Sequence, residues 1–293
     1  MDTIERPILV TGGNGYLAKH LVKKLQKKKM HCVVTTRKKT GIDFEFELDI
    51  TDEKASKKLI EKINPSVIIH LAADLNRTRD KNYLDPILKT NFTGTLNLLK
   101  ACENIENVHF VFASTSEIYG NNKPPFSEEM QPDPTSFYSL SKLLSENAIK
   151  MMGKSGKFTY TILRIFNFFG KEMPENFFIS QLVETLKKGK EFNMTNGDQK
   201  RDLLHIEDVV EAILIVLKNK KAQQQTINIC RGKSLSMKGL ALYIAENFRK
   251  PILNFGAIPY RENEIWDMTG DNTKISELGF KPKYSLEDGL RKI

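Results

Sequence analysis

A glycine-rich turn follows the first apolar run of this chain. Ile8-Leu9-Val10 leads into Thr11-Gly12-Gly13-Asn14-Gly15-Tyr16-Leu17-Ala18, and the apolar spacing from Gly15 to about Lys28 is helical. Glycine lets the backbone turn tightly and approach other atoms closely. A helix that starts straight after such a turn presents free N–H groups and a partial positive charge. Strand, turn and helix together predict the first unit of a parallel α/β sheet, with the turn shaped for a pyrophosphate. Ala18 stands where a third glycine is common and is small enough to keep helix and sheet close.

The strand–helix rhythm continues. Short apolar strands are expected at 31–35, 44–48, 67–70, 108–112 and 159–163. Helices are expected at 52–63, with Thr51 as N-cap, at 83–103 and at 136–152. Continuously apolar strands are buried on both faces, as in a parallel sheet. The fold class expected is a doubly wound, Rossmann-type α/β sheet with a smaller C-terminal α/β lobe. After Arg164 the pattern loosens into a helix at 177–188, a polar loop at 193–201, a helix at 207–218 and a strand at 226–229. The expected division is a dinucleotide-binding domain over 1–165, with 202–230 returning to it, and a substrate lobe from 166–201 and 231–293. A chain of 293 residues can bury both cores.

The net charge of +9 reads as a lysine-rich surface, since no basic tail or RNA-binding motif accompanies it. Neither nucleic acid nor a membrane is expected as a partner. Cys32, Cys102 and Cys230 are odd in number and far apart, with no CxxC, so no metal site and no disulfide framework is expected. A reducing cytoplasm fits. No signal segment and no apolar run near the ~20 residues of a membrane span is seen.

Tyr138 and Lys142 carry the chemistry. Four residues apart on a helix, they share one face. An ammonium beside a phenol favours the phenolate and lowers a pKa normally near ~10, so Tyr138 is expected to move protons at neutral pH. At the end of the second strand, Thr35-Thr36-Arg37-Lys38 replaces the acidic residue that would bond a ribose 2′-hydroxyl. A hydroxyl and cations suit a 2′-phosphate, so NADP(H) is expected over NAD. Asp49 has two open roles, acceptor for an adenine amino group or helix cap.

These motifs, with His70-Leu71-Ala72-Ala73, Asn91-Phe92-Thr93-Gly94-Thr95, Ser114-Thr115-Ser116-Glu117-Ile118-Tyr119-Gly120, Leu163-Arg164-Ile165-Phe166-Asn167, Gln199-Lys200-Arg201-Asp202, Glu207-Asp208 and Glu277-Leu278-Gly279-Phe280, stand in order along nearly the whole chain. The chain resembles the extended short-chain dehydrogenase/reductases that act on nucleotide sugars. The resemblance implies that Thr115 bonds the sugar oxygen, Tyr138 is the general acid/base, and Lys142 bonds the nicotinamide ribose. It implies a cofactor surface of Gly12, Asn14, Gly15, Tyr16, Leu17, Thr36, Arg37, Asp49, Ile50, Leu71, Ala72, Ala73, Asn91, Tyr138 and Lys142. Asn167 and Arg201 would meet the nucleotide diphosphate. Structural roles stand beside these: Arg201 paired to Asp202 or Asp208, Thr115 bonded to its own backbone, Asn167 as a turn residue.

Three chemistries share this framework: 4-ketoreduction, 4-epimerisation and 4,6-dehydration. Dehydratases of the family resemble one another in using a carboxylate after the threonine to take the C5 proton. Glu117 matches it in a Thr-Ser-Glu arrangement that looks like GDP-mannose dehydratases, and its structural alternative is a pairing with a nearby lysine. The compact C-terminal lobe and the 35–37 pattern look more like NADPH-dependent 4-keto-6-deoxy-sugar reductases, which is the reading preferred. A nucleotide-binding sensor without turnover is disfavoured by the intact Thr115, Tyr138 and Lys142 set. The resemblance also implies a homodimer through the helices at 83–103 and 136–152.

Overall fold

The computed structural model describes residues 6–41, 43–78 and 80–290, so the outermost ends of the expected domains lie outside it. Its main sheet is built from β1 (Ile8–Thr11), β2 (Cys32–Thr36), β3 (Glu45–Glu47), β4 (Val67–His70), β5 (Val108–Thr115), β6 (Phe158–Ile165) and β10 (Gln225–Ile229). The spatial order is β10-β6-β5-β4-β1-β2-β3. From β3 to β6 every neighbouring pair is parallel, with Ile8 beside both Cys32 and Val67. The order reverses between β1 and β4. In a doubly wound sheet that is the switch point, where ligands sit outside the carboxyl ends of the strands. The last paired residues there are Thr11 and His70.

The chain divides into two compact units. The first comprises Met1–Gly120, Gln131–Ile165 and Ile213–Ile227, and the second Asn121–Met130, Phe166–Ala212 and Asn228–Ile293. The return expected over 202–230 narrows to 213–227, and 121–130 groups with the second unit. In the first unit α1 (Tyr16–Lys27) buries Ala18, Leu21, Val22 and Leu25. Helices α2 (Glu53–Ile63), α4 (Gly94–Cys102) and α5 (Phe137–Gly153) bury Ile60, Leu98, Leu99 and Ile149 with the sheet's Leu9, Ile68, Phe110 and Ile162.

In the second unit β9 (Lys200–His205) pairs with β7 (Asn167–Phe169), β11 (Ser234–Ser236) and β13 (Asp267–Met268). A separate parallel pair joins β8 (Phe192–Met194) to β12 (Leu253–Phe255). Its core packs Leu182 and Leu186 of α6 (Phe178–Lys187) with Leu240 and Ile244 of α8 (Met237–Ala245).

Three local expectations change. Asp52, not Thr51, caps α2, because its Oδ1 accepts from the Ala55 N–H at 2.9 Å. The helix expected over 83–103 is segmented into α3 (Leu84–Leu88), a π-helical turn Lys89–Thr93, and α4. Gly94 opens α4 because a Cβ there would lie 2.7 Å from Ile50 Cδ1. The stretch 193–201 is not all loop, since β8 reaches Met194 and β9 starts at Lys200. Among the described residues no helix is long and apolar enough to cross a membrane.

Candidate active site

Gly12 takes φ +73°, and a Cβ on it would lie 2.8 Å from the backbone of Ala72. Glycine is required there by conformation and by the close approach of the two strand ends. Gly15 N donates to Gly12 O at 2.9 Å and Gly13 N to Thr35 O at 3.0 Å, which closes the turn onto β2. No acidic residue stands in the first turn of α1. The amides of this helix end therefore face the switch point without a competing negative charge, and the cradle fits the pyrophosphate of a dinucleotide.

His70 locks the second edge of the cradle. Thr11 Oγ1 lies 2.7 Å from His70 Nδ1, and Thr95 Oγ1 lies 3.0 Å from His70 Nε2. Burial, with Lys142 as a smaller cause, draws the imidazole down to about 3, so it stays neutral. Asn91, expected at the cofactor, is engaged within the protein. Its Oδ1 accepts from Asp74 N at 2.7 Å, and its Nδ2 donates to Asp74 O and Ser141 Oγ at 2.9 and 3.0 Å. It staples the π-helical turn to α5 and to Asp74 in the loop after β4. π-turns are frequent at functional sites.

The end of β2 differs from its sequence reading. The buried Thr36 hydroxyl bonds the Glu45 carboxylate and the Lys38 carbonyl. Glu45 also accepts the Thr40 and Gly41 N–H groups, and the Thr36 bond leads in holding it down at about 2. Thr36 is thus unavailable to a 2′-phosphate, while Arg37 is exposed. Asp49 Oδ1 accepts from Thr51 N at 2.9 Å and shapes the turn ahead of α2, whose cap is Asp52 and not Asp49. Ile50 is buried against Gly94, and its carbonyl accepts from Asn97. Asn14 is exposed, and Tyr16, Leu17, Leu71, Ala72 and Ala73 are half-buried around the cradle.

α5 begins with a capping box in which the Ser136 and Ser139 side chains accept each other's backbone N–H groups. This places Tyr138 in the first helical turn, with Thr115 at the end of β5 near enough to act on its phenol; the Thr115 hydroxyl also accepts from Glu117 N at 3.2 Å. Lys142 Nζ donates to Ala113 O at 2.8 Å and lies 4.6 Å from the Phe112 ring centroid. It stands 6.0 Å from the Tyr138 ring centroid. The expected lowering of Tyr138 by Lys142 is corrected. Burial dominates and pushes the phenol up to about 12, with Arg77 opposing, Glu117 adding, and Thr115 opposing. Burial also draws the Lys142 ammonium down to about 7, against the pull of Glu146.

Two features lay outside the sequence reading. Arg77 Nε donates to Glu117 Oε1 at 2.5 Å, and its guanidinium lies 4.9 Å from the Tyr138 ring centroid. The partner of Glu117 is this arginine, not a lysine. Its one sequence signal is position, in the loop after β4 at the carboxyl edge of the sheet. Beneath the site, Glu146 pairs with Arg164 at 2.8 Å and accepts from Ser114 Oγ at 2.5 Å, all buried.

In the second unit, Asn167 is exposed on β7. Arg201 bonds Glu264 and the carbonyls of Lys200 and Ile265. The acids considered as its partners are occupied elsewhere. Asp202 caps the 231–233 N–H groups and Asp208 those of Lys283 and Tyr284.

The family model described as "NAD dependent epimerase/dehydratase family" matches residues 8–230. The chain belongs to this family. A Methanocaldococcus jannaschii protein provisionally named UDP-glucose 4-epimerase is 32% identical over 98% of this chain and 96% of its own. GDP-6-deoxy-D-talose 4-dehydrogenase of Aggregatibacter actinomycetemcomitans is 30% identical over 92% and 89%. Among solved structures, the UDP-glucuronic acid 4-epimerase from Bacillus cereus, in complex with UDP-glucuronic acid and NAD, superposes with a TM-score of 0.88 at 26% identity. That match covers 98% of this chain and 97% of the epimerase. The family's Rossmann-type fold is the one described above.

Proposed function

We propose that this family member reduces the C4 ketone of a nucleotide-activated 4-keto-6-deoxy sugar. The observation that carries the reading is the placement of Thr115 at the end of β5 and Tyr138 in the first turn of α5, with Glu117 held by Arg77. A bound nicotinamide cofactor supplies the hydride. Thr115 and Tyr138 converge on the ketone oxygen, and Tyr138 passes its phenolic proton to that oxygen as charge develops. Thr115 keeps a hydrogen bond to the same oxygen. Lys142, aimed by the Ala113 carbonyl, is assigned to the nicotinamide ribose. Gly12, Gly15 and the α1 amides are assigned to the pyrophosphate.

Dehydration needs a carboxylate free to take the C5 proton, and the engagement of Glu117 by Arg77 weighs against it. Epimerisation is the second reading. It uses the same three residues for oxidation and re-reduction, and it is supported by the epimerases among the relatives.

For the cofactor we assign NAD(H). The Glu45 carboxylate beside Thr36 repels a 2′-phosphate, and the Bacillus cereus epimerase structure holds NAD. The NADP(H) preference then rests on the exposed Arg37 and Lys38. Tighter NADPH than NADH binding in a fluorescence titration would return the assignment to these two cations. Asn167 is assigned to the nucleotide half of the substrate, and Arg201 only if that half displaces Glu264. A homodimer is carried over from the family resemblance and is checked by light scattering.

The deciding experiment supplies 4-keto-6-deoxy nucleotide sugars with NADH or NADPH and identifies products by NMR. Stoichiometric cofactor oxidation supports reduction. A sugar product without net cofactor use replaces it with epimerisation or dehydration.

A further inference from the structure

We propose that Arg77 is a specificity-determining residue whose Nη1 and Nη2 groups bind the 3-hydroxyl of the sugar, beside the C4 oxygen assigned to Thr115 and Tyr138. The inference deepens the proposed function and rests on that placement of the C4 oxygen.

Arg77 uses its fork on one side only. Nε donates to Glu117 Oε1 at 2.5 Å, and among the described residues its side chain makes no other hydrogen bond or ion pair. Nη1 and Nη2 keep their N–H groups to offer, where a purely structural arginine would turn the fork onto its carboxylate with two parallel bonds. The guanidinium lies 4.9 Å from the centre of the Tyr138 ring, in cation–π range, so these donors stand beside the phenol. The side chain is 44% exposed, which leaves them open to a ligand.

The position is prepared before any sugar arrives. Along the loop after β4, side chains accept the N–H two residues on: Asn76 N bonds Asp74 Oδ1 at 2.9 Å, Thr78 N bonds Asn76 Oδ1 at 2.9 Å, Asp80 N bonds Thr78 Oγ1 at 3.2 Å, and Asn82 N bonds Asp80 Oδ1 at 3.0 Å. Such turns fix a loop through its own side chains. Its near end is anchored, because Asp74 bonds Asn91 and accepts from Tyr83 Oη at 2.6 Å. From the other side, Glu117 holds Nε while its own N–H is held by Thr115 Oγ1 at 3.2 Å. A donor fixed in this way loses little freedom on binding.

The chemistry of the sugar selects the acceptor. C4 of a 4-keto-6-deoxyhexose is flanked by C3, which carries a hydroxyl, and by C5, which carries a methyl group and the ring oxygen. A methyl group accepts nothing, so a guanidinium beside the C4 oxygen finds its acceptor at C3. A sugar without that hydroxyl leaves the charged donor unpaired, and sites built to bond a hydroxyl discriminate strongly against its absence.

The test is a binding cycle that needs no turnover. Calorimetric titrations use protein saturated with NAD⁺, which has no hydride to give a ketone. The probes are dTDP-, UDP-, GDP- and CDP-linked 4-keto-6-deoxyhexoses, their 3-deoxy counterparts, and the bare nucleoside diphosphates. On the carrier that binds most tightly, Arg77→Met is expected to weaken the 3-hydroxylated sugar about tenfold, the loss of a hydrogen bond to a charged group. The 3-deoxy sugar and the bare diphosphate are expected to stay within about twofold of wild type, since neither meets Arg77. No weakening of the 3-hydroxylated sugar overturns the proposal. Equal weakening of both sugars overturns it too, because that is the signature of a loosened pocket. Tighter, Arg77-dependent binding of a uronic acid on the same carrier also overturns it, because the contact then lies at C5. The reductase reading fails on a different result, ketosugar that consumes no NADH or NADPH, and that result leaves the cycle standing because an epimerised sugar presents the same two oxygens.

Discussion

Glu146→Gln is the sharpest test of how the site is held. Glu146 is fully buried and Arg164 nearly so, with N and O at 2.8 Å. Arg164 Nε adds a second contact to Glu146 Oε1 at 3.2 Å, and Ser114 donates to the same oxygen. Gln keeps the shape and one acceptor but leaves the Arg164 charge buried without its anion, and arginine does not neutralise. Breaking one side of a buried pair costs about 3–5 kcal/mol, and the retained acceptor places Gln near about 3 kcal/mol. The Tyr119 ring, 4.9 Å from the guanidinium, remains to offset part of the loss. The assay is urea unfolding of wild type, Glu146→Gln, and Glu146→Gln with Arg164→Met. The single variant is expected to lose about 3 kcal/mol, and the double variant less, because no unpaired charge remains. A single variant within about 0.5 kcal/mol of wild type, as for an ordinary surface change, would refute the reasoning. A double variant worse than the single would refute it too.

Two further outcomes are expected. Burial draws Lys142 down to about 7 in the folded chain, below the ordinary ammonium value near ~10.4, so between those values the unfolded chain binds more protons and stability rises with pH. Lys142→Met should flatten that rise, by up to about 1.4 kcal/mol per pH unit, in thermal melts across the window; an unchanged slope contradicts the buried placement. Gly12→Ala places a Cβ 2.8 Å from the Ala72 backbone at φ +73°, and should lose at least about 1–2 kcal/mol of stability and weaken dinucleotide binding in a fluorescence titration. Wild-type affinity would show that the turn is not the cradle.

The sequence made the sheet legible because its central strands β1, β4 and β5 each carry an apolar run, and the Gly12–Gly15 turn legible because its placement after β1 is local. The Tyr138 helix was visible in the same way, though its Ser136–Ser139 capping box was not singled out. Pairings across the chain were hidden. Glu45 takes Thr36 from a different strand, Arg77 reaches Glu117 across 40 positions, and Glu146 meets Arg164 between helix and strand. No local spacing marks such partners, since each side chain alone reads as a surface charge. The π-turn at Lys89–Thr93 was hidden for the same reason, because it is fixed by Asn91 bonding Asp74 and Ser141. The Tyr138–Lys142 spacing correctly marked the helix face but carries no information on how deeply the phenol is buried, and burial outweighs the nearby charges.

The central claim is that Tyr138 carries the proton while hydride reaches a C4 ketone. Its most direct test is single-turnover cofactor oxidation by a 4-keto-6-deoxy nucleotide sugar, in wild type and Tyr138→Phe at saturating cofactor. The account predicts hydride transfer slowed by roughly 10²–10⁴-fold with cofactor affinity retained. Transfer at the wild-type rate in Tyr138→Phe would contradict it.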